Sequence, residues 1–176
     1  MKATGVVRRI DDLGRIVIPK EIRRSLRIRE GDSLEIYADG NESIVLKKYS
    51  PVESIETFVT QLVESINASS KKEVIITDNE KVIAAAGGFR KDIVGKKIDL
   101  RLDEKIQRRT TQIFARNDNL EVTENLIIKS AAILKPIVVY GDVIGAVIVV
   151  GEDSISDVEK IMADQAATFI SKYLEA

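Results

Sequence analysis

The sequence predicts an α+β chain built as two domains. Three observations carry that reading. Short apolar runs broken by Gly-containing turns fill the first 50 residues around one short helix. A Ser50-Pro51 step then opens a long amphipathic helix. Beyond it, the order helix, two strands, helix, strands, helix describes an antiparallel sheet backed by the first and last helices.

Taken in order, Val6, Val7 and Ile10 mark a strand over 5–10, and Asp11-Asp12-Leu13-Gly14 a turn. The β-branched run Ile16 to Ile18 ends a second strand over 15–18. Pro19, with φ fixed and no N–H to satisfy, suits the first position of a helix. At 100° per residue, Ile22 and Leu26 share one face, and Lys20, Arg23, Arg24 and Arg27 fall on the opposite arc. Glu30-Gly31-Asp32 breaks the chain. Strands over 33–37 and 43–47 follow around the Asp39-Gly40 turn. Arg8 then lies across the first hairpin from Arg15, adding to the same basic patch. A unit this small, with no disulfide or metal, buries too little apolar surface to stand alone, so its core is expected to be completed by a second copy.

Ser50, Pro51 and Glu53 form a capping box for the next helix, whose apolar residues fall at 52, 55, 59, 62 and 66, widened by Phe58 and Val63. That stripe fits equally the chain's own sheet or a partner helix. The link after Tyr49 is short enough for movements of the second domain to reach the first. Strands follow over 73–77 and 81–86, closed by Gly87-Gly88, which reads as a strand-to-loop break. A short helix or loop spans 89–95, and a helix over 103–116 points Ile106, Ile113 and Phe114 inward. Arg101, Arg108 and Arg109 read as solvated helix residues. Strands over 126–129, 132–139 and 143–150 come next, the last the most apolar and therefore central. Gly141 is expected at the first central position of a type II′ turn. A second capping box, Ser156 and Glu159, starts a final helix with Val158, Met162, Phe169 and Tyr173 on one side.

The 176 residues carry 27 basic and 28 acidic side chains, unevenly placed. Residues 1–29 hold nine Lys/Arg against three acids, whereas residues 51–176 hold 16 against 20. The front of the chain therefore suits a polyanion and the rest a different role. There is no Cys and no His. That excludes disulfides, thiolate nucleophiles, His/Cys metal sites and imidazole chemistry, and no other constellation supports catalysis. We expect no enzyme, cofactor or metal. No apolar run spans a bilayer and the N-terminus is no signal peptide, so a cytoplasmic protein without a membrane partner is expected.

Residues 2–50 resemble the AbrB-type (SpoVT–AbrB) DNA-binding domain, on the run from Leu13-Gly14-Arg15 through Val17-Ile18-Pro19 to Ile22-Arg23-Arg24. Residues 51–176 resemble a GAF domain, a small-molecule sensor fold, on Val74 to Asp78 with the Ile83 strand, Ile93-Val94-Gly95, and Pro136 to Val149. The pairing resembles the stage V sporulation regulators of Bacillus-type bacteria. What the resemblance implies is a DNA-binding regulator, activator and repressor, of late forespore genes, associated with the nucleoid. Its domains would be 1–50, a swapped-hairpin β-barrel interleaving two copies on double-stranded DNA, and 51–176, forming a homotetramer and receiving a small-molecule effector. The family's DNA-contacting arginines fall on Arg8, Arg15, Arg23 and Arg24, and charge placement adds Arg9 and Lys20. Arg-rich contacts favour phosphate and DNA shape over adenine readout. Many relatives place glycine where this chain has Arg27, so the helix must end there on a strained backbone or in another way. Two alternatives stand beside this reading. One is an antitoxin of the same N-terminal fold, which the 126 patterned residues after position 50 disfavour. The other is a ligand-binding protein whose N-terminal domain only dimerises.

Overall fold

The structure, a computed structural model, describes residues 4–40, 42–88 and 90–176. The chain divides into two units, one up to Tyr49 and one from Ser50.

In the first unit, helix α1 (Lys20–Ser25) precedes strands β1 (Leu34–Ala38) and β2 (Ile44–Lys48), which pair antiparallel from Leu34↔Lys48 to Ala38↔Ile44. The strands expected over 5–10 and 15–18 do not form a ladder in the single chain. Only the turn closes, with Asp11 N–H on the Arg15 carbonyl and Gly14 N–H on that of Asp11, both at 3.0 Å. An extended segment becomes a strand through its partner, and this unit supplies none. Pro19 sits one residue before its expected place, at the N-cap, where its carbonyl accepts from Arg23 N–H. It is also the single buried residue among the described residues of the unit. Val7 is 89 % exposed and Ile10, Leu13, Val17, Ile36 and Ile44 are exposed too. The unit thus carries the residues of a core without having one.

Leu26, expected to share the face of Ile22, is the C-cap of α1 and is exposed in the single chain, like the unit's other apolar residues. The end is a Schellman motif: Ile28 N–H reaches the Arg23 carbonyl at 2.7 Å and Arg27 N–H that of Arg24 at 3.2 Å. Arg27 occupies the left-handed position, with φ 52°. It therefore leaves the helical arc of Lys20, Arg23 and Arg24. Lys48 Nζ donates to the Arg27 carbonyl at 2.9 Å and holds the bend. Arg27→Gly is expected to stabilise the unit by about 0.5–1 kcal/mol, the relief of left-handed strain less the extra unfolded-state freedom of glycine. Thermal melting of the two proteins checks it.

In the second unit, α2 (Pro51–Ser54) and α3 (Glu56–Ser70) are separated by Ile55, whose φ of −115° interrupts the expected single helix. β3 (Glu73–Asp78), β4 (Val82–Ala86), α4 (Arg90–Ile93) and α5 (Leu100–Gln107) follow. Then come β5 (Gln112–Phe114), β6 (Leu120–Thr123), β7 (Leu126–Ile128), β8 (Ala132–Val139), β9 (Asp142–Val150) and α6 (Asp157–Glu175). The main sheet has the order β4-β3-β9-β8-β5, antiparallel throughout, with β9 central as its composition requires. Both faces are covered. Val59, Val63, Ile76, Val147, Ala163 and Ile170 fill one layer with α3 and α6. Ile75, Leu102, Ile106, Leu120 and Ile148 fill the other with α5 and β6. Pro136 lies in β8 opposite Ala146 of β9 and beyond Leu134, the last residue paired with β5.

Three local expectations change. The helix read over 103–116 starts at Asp99, whose carboxylate caps Arg101 N–H at 2.9 Å, and stops before Arg109, at φ 62°. Ile113, expected inward on that helix, lies exposed on β5, and Phe114 packs from β5 against the second layer. The β8–β9 turn has positive φ at both Tyr140 (47°) and Gly141 (86°), which is type I′ with glycine second. The Tyr140 hydroxyl donates to the Glu175 carbonyl at 2.9 Å, tying that strained turn to the end of α6. Finally, α6 buries Glu159, Ala163, Ala166, Ala167 and Ile170, while Val158, Phe169 and Tyr173 are exposed.

Of the two capping boxes, that at Ser50 is half made. Ser50 accepts Glu53 N–H at 3.1 Å, but the Glu53 carboxylate turns to Lys81, 2.6 Å away. The box at Ser156 is complete, with Glu159 buried and Ser156 at the surface. Burial pushes the Glu159 carboxyl up, yet the Ser156 hydroxyl, the Lys72 ammonium at 2.9 Å and the Ser156 N–H outweigh it and bring it to about 2. A carboxylate depressed on folding stabilises fully above its ordinary value of 4.5, and that contribution is lost as pH falls from there through 2. The linkage amounts to about 3 kcal/mol. Glu159→Gln is expected to lower stability by about that much at pH 7 and to flatten the acid limb of a stability profile measured by denaturant titration.

Candidate nucleic-acid interface

The first unit presents its cations on short, exposed elements. Lys20, Arg23 and Arg24 project from α1 at the one-turn spacing that places side chains together. Arg23 Nε donates back to the Ile18 carbonyl at 3.2 Å, which fixes the stem and leaves its terminal nitrogens outward. Arg8 and Arg9 lie exposed on the segment before the turn. The strand pairing that was to set Arg8 opposite Arg15 is not made within one chain. Arg8, Arg9, Lys20 and Arg24 form no ion pair among the described residues.

Arg15 differs. Its guanidinium Nε meets Asp11 Oδ2 at 2.8 Å, and Asp11 Oδ1 accepts the backbone N–H groups of Leu13 and Arg15 at 3.0 and 2.8 Å. The Arg15 backbone N–H, then its guanidinium and the Leu13 N–H, hold the Asp11 carboxyl below its usual range, outweighing desolvation. Asp11 was read only as a turn residue. Its spacing of four before Arg15, with Gly14 between, was the available signal.

The second unit pairs several of its cations with carboxylates instead. Arg101, expected as a solvated side chain, is held by Asp99 at 3.0 Å and Glu121 at 2.8 Å, Lys135 meets Asp164 at 2.8 Å, and Arg116 pairs with Asp153. Arg108 and Arg109 are exposed without an ion pair among the described residues. Gly87-Gly88 meets the Glu73 side chain, which accepts Gly88 N–H at 3.0 Å, so the pair ends β4 against its neighbour. Phe89 lies outside the described residues.

Two further features of the second unit stand apart from its ion pairs. On the outer face of α3 and α6, Phe58 stacks on Tyr173 at 4.3 Å beside Phe169 at 5.4 Å. A groove of about 480 Å³ adjoins them, lined by Leu62, Ile66, Met162 and Phe169 with Lys172 among the polar residues. Within the sheet, the Thr77 hydroxyl is fully buried on the face of Ile75 and has no hydrogen-bond partner among the described residues. Nearby, burial pushes the Asp78 carboxyl up against the opposing pull of the Lys81 and Glu80 N–H groups and the Ser50 hydroxyl. No helix among the described residues is long and apolar enough to cross a membrane.

Comparison with known proteins agrees with this division. The sequence profile described as "Stage V sporulation protein T C-terminal, transcription factor" matches residues 54–175, and that described as "Antidote-toxin recognition MazE, bacterial antitoxin" matches residues 7–54. The chain is 39 % identical over 177 residues to stage V sporulation protein T of Bacillus subtilis (strain 168), covering 99 % of each. It is 63 % identical over 51 residues to the transition state regulatory protein AbrB of the same organism, 29 % of this chain and 52 % of that one. Among solved structures, the GAF domain of the nutrient sensor CodY from Clostridium difficile matches with a TM-score of 0.50 at 12 % identity, over 88 % of this chain and 94 % of that one. That likeness establishes the fold of the second unit.

Proposed function

We propose, for a chain that belongs to the stage V sporulation protein T family of transcription factors, that two copies of the first unit interleave to hold double-stranded DNA. Arg8, Arg9, Arg15, Lys20, Arg23 and Arg24 form the contact surface. The observation that carries this reading is the occurrence together of cations without an ion pair among the described residues, all but Arg15 of these six, and apolar residues that lack a core of their own. A second copy satisfies the second feature and doubles the first. The AbrB-like sequence of residues 1–50 supports DNA as the polyanion.

Residues 51–176 regulate that binding. The face of exposed Phe169 and Tyr173 with half-buried Phe58, together with its groove, joins dimers into a homotetramer. The GAF fold, with the Thr77 hydroxyl buried and without a partner among the described residues, supports reception of a small-molecule effector. The regulated genes are sporulation genes, as the name of the 39 % identical relative supports, and we take them to be late genes of the forespore, activated or repressed by promoter. The antitoxin alternative needs a short recognition tail, whereas a folded unit begins at Ser50.

Incubating the full chain with sheared genomic DNA of its host and sequencing the retained fragments tests the function. Enrichment of promoter regions is expected; uniform retention would contradict regulation. Native mass spectrometry tests the assembly. The unaltered chain is expected as a tetramer and Phe169→Glu as a dimer, since a charge on that face opposes burial.

A further inference from the structure

The Asp11 carboxylate sits within the basic patch it would be expected to weaken. An anion beside a DNA-contacting surface repels phosphate, so its presence there calls for a compensating role. The geometry gives one. A single carboxylate closes the loop through two backbone N–H groups and grips Arg15 at Nε with its other oxygen, at 2.8 Å. Arg15 is otherwise a free side chain, 71 % exposed, with the rotamer freedom of a long cation. Binding at Nε leaves the two terminal nitrogens pointing away as a planar fork, the part of arginine that makes bidentate contacts to phosphate or to a guanine edge. The backbone and side-chain contacts hold the Asp11 carboxyl below its ordinary value, favouring the carboxylate that grips Arg15.

We propose that Asp11 is a positioning residue for DNA recognition, holding the Arg15 guanidinium in its contact orientation before DNA arrives. This rests on the reading of Arg15 as a DNA contact. Preorganisation of this kind acts on the specific complex, in which one orientation is used, and little on non-specific association, in which any cation serves. The two effects of the carboxylate therefore have opposite signs. It weakens non-specific binding through its charge and strengthens specific binding through Arg15.

The test is a double-mutant cycle in the full chain, with Asp11→Asn, Arg15→Ala and the double variant. Affinities are measured for a duplex enriched by the unaltered protein from a random-sequence pool, and for poly(dI-dC) as the non-specific polymer. Asn keeps an oxygen to accept the Leu13 and Arg15 N–H groups, so the loop is retained. Asp11→Asn is expected to lower affinity for the enriched duplex about fivefold while leaving poly(dI-dC) binding equal or tighter. In the Arg15→Ala background the same change is expected to make no further loss. An Asp11→Asn protein that binds the enriched duplex as well as or better than the original overturns the proposal, as does an equal loss in both backgrounds, which would assign Asp11 to the loop alone. Full affinity in Arg15→Ala would instead remove the contact reading on which the proposal rests.

Discussion

Replacing Arg15, Arg23 and Arg24 together by alanine is expected to lower affinity for promoter DNA by about 10³-fold or more at 0.1 M salt. Bidentate arginine contacts contribute about 1–3 kcal/mol each, and a two-copy complex loses six cations, so even the low end exceeds the 4 kcal/mol that a thousandfold change represents. The salt slope should fall by about five, at roughly 0.9 for each phosphate no longer neutralised. The fold should persist. Their only intramolecular side-chain contacts among the described residues are Arg15 with Asp11 and Arg23 with the Ile18 carbonyl, both at the surface. Melting temperature should therefore move little, as surface changes usually stay within about 0.5 kcal/mol. Anisotropy titration with a labelled promoter duplex, alongside calorimetry, separates loss of contact from loss of structure. Unchanged affinity would remove the basic face from the account.

Gly145→Ala is expected to destabilise the second unit by about 3 kcal/mol or more. Gly145 lies in β9 opposite Asp78 of β3, and a Cβ there would stand 2.0 Å from the Thr77 carbonyl oxygen and 3.0 Å from the Asp78 Cα. Both obstacles are backbone of the neighbouring central strand, so no rotamer change relieves them, and the sheet itself must part. Gly141→Ala provides the comparison. It has open space around it but φ 86°, so its cost is the left-handed strain alone, about 1 kcal/mol. Chemical denaturation of the two variants checks the order. If Gly145→Ala is the milder, the close approach of β3 and β9 is wrong.

Much of the second unit was legible because its sheet is covered on both faces. Ala132–Val139 and Val143–Val150 then have to be nearly continuous apolar runs, and the Ser156 cap marks the last helix unambiguously. What failed was choice between equivalents. Ile113 and Phe114 fit a helical stripe as well as a strand, and only the left-handed turn at Arg109 decides for the strand. On α6 the large residues Phe169 and Tyr173 outweigh alanines in any hydropathy reading. Yet Ala163, Ala166 and Ala167 are what let the helix sit close on β8 and β9, and the large residues turn outward. The first unit shows the opposite limit. Its apolar runs were read as material for a core completed by a second copy, and in the single chain they lie exposed, since a ladder for 5–10 and 15–18 needs a partner strand the single chain does not supply. Among the site residues, the arginines stood out by type and spacing, whereas Asp11 did not, because an acid inside a basic stretch reads as background until its three contacts are seen.

The salt dependence of full-chain binding to promoter duplex tests the central claim, a DNA-binding face assembled from two copies, most directly. If both copies contribute cations, about six to ten phosphates should be contacted, and affinity is expected to fall by about 10³–10⁵-fold between 50 and 200 mM salt. A plot of log affinity against log salt that is flat, or that reports only one or two phosphates, would contradict it.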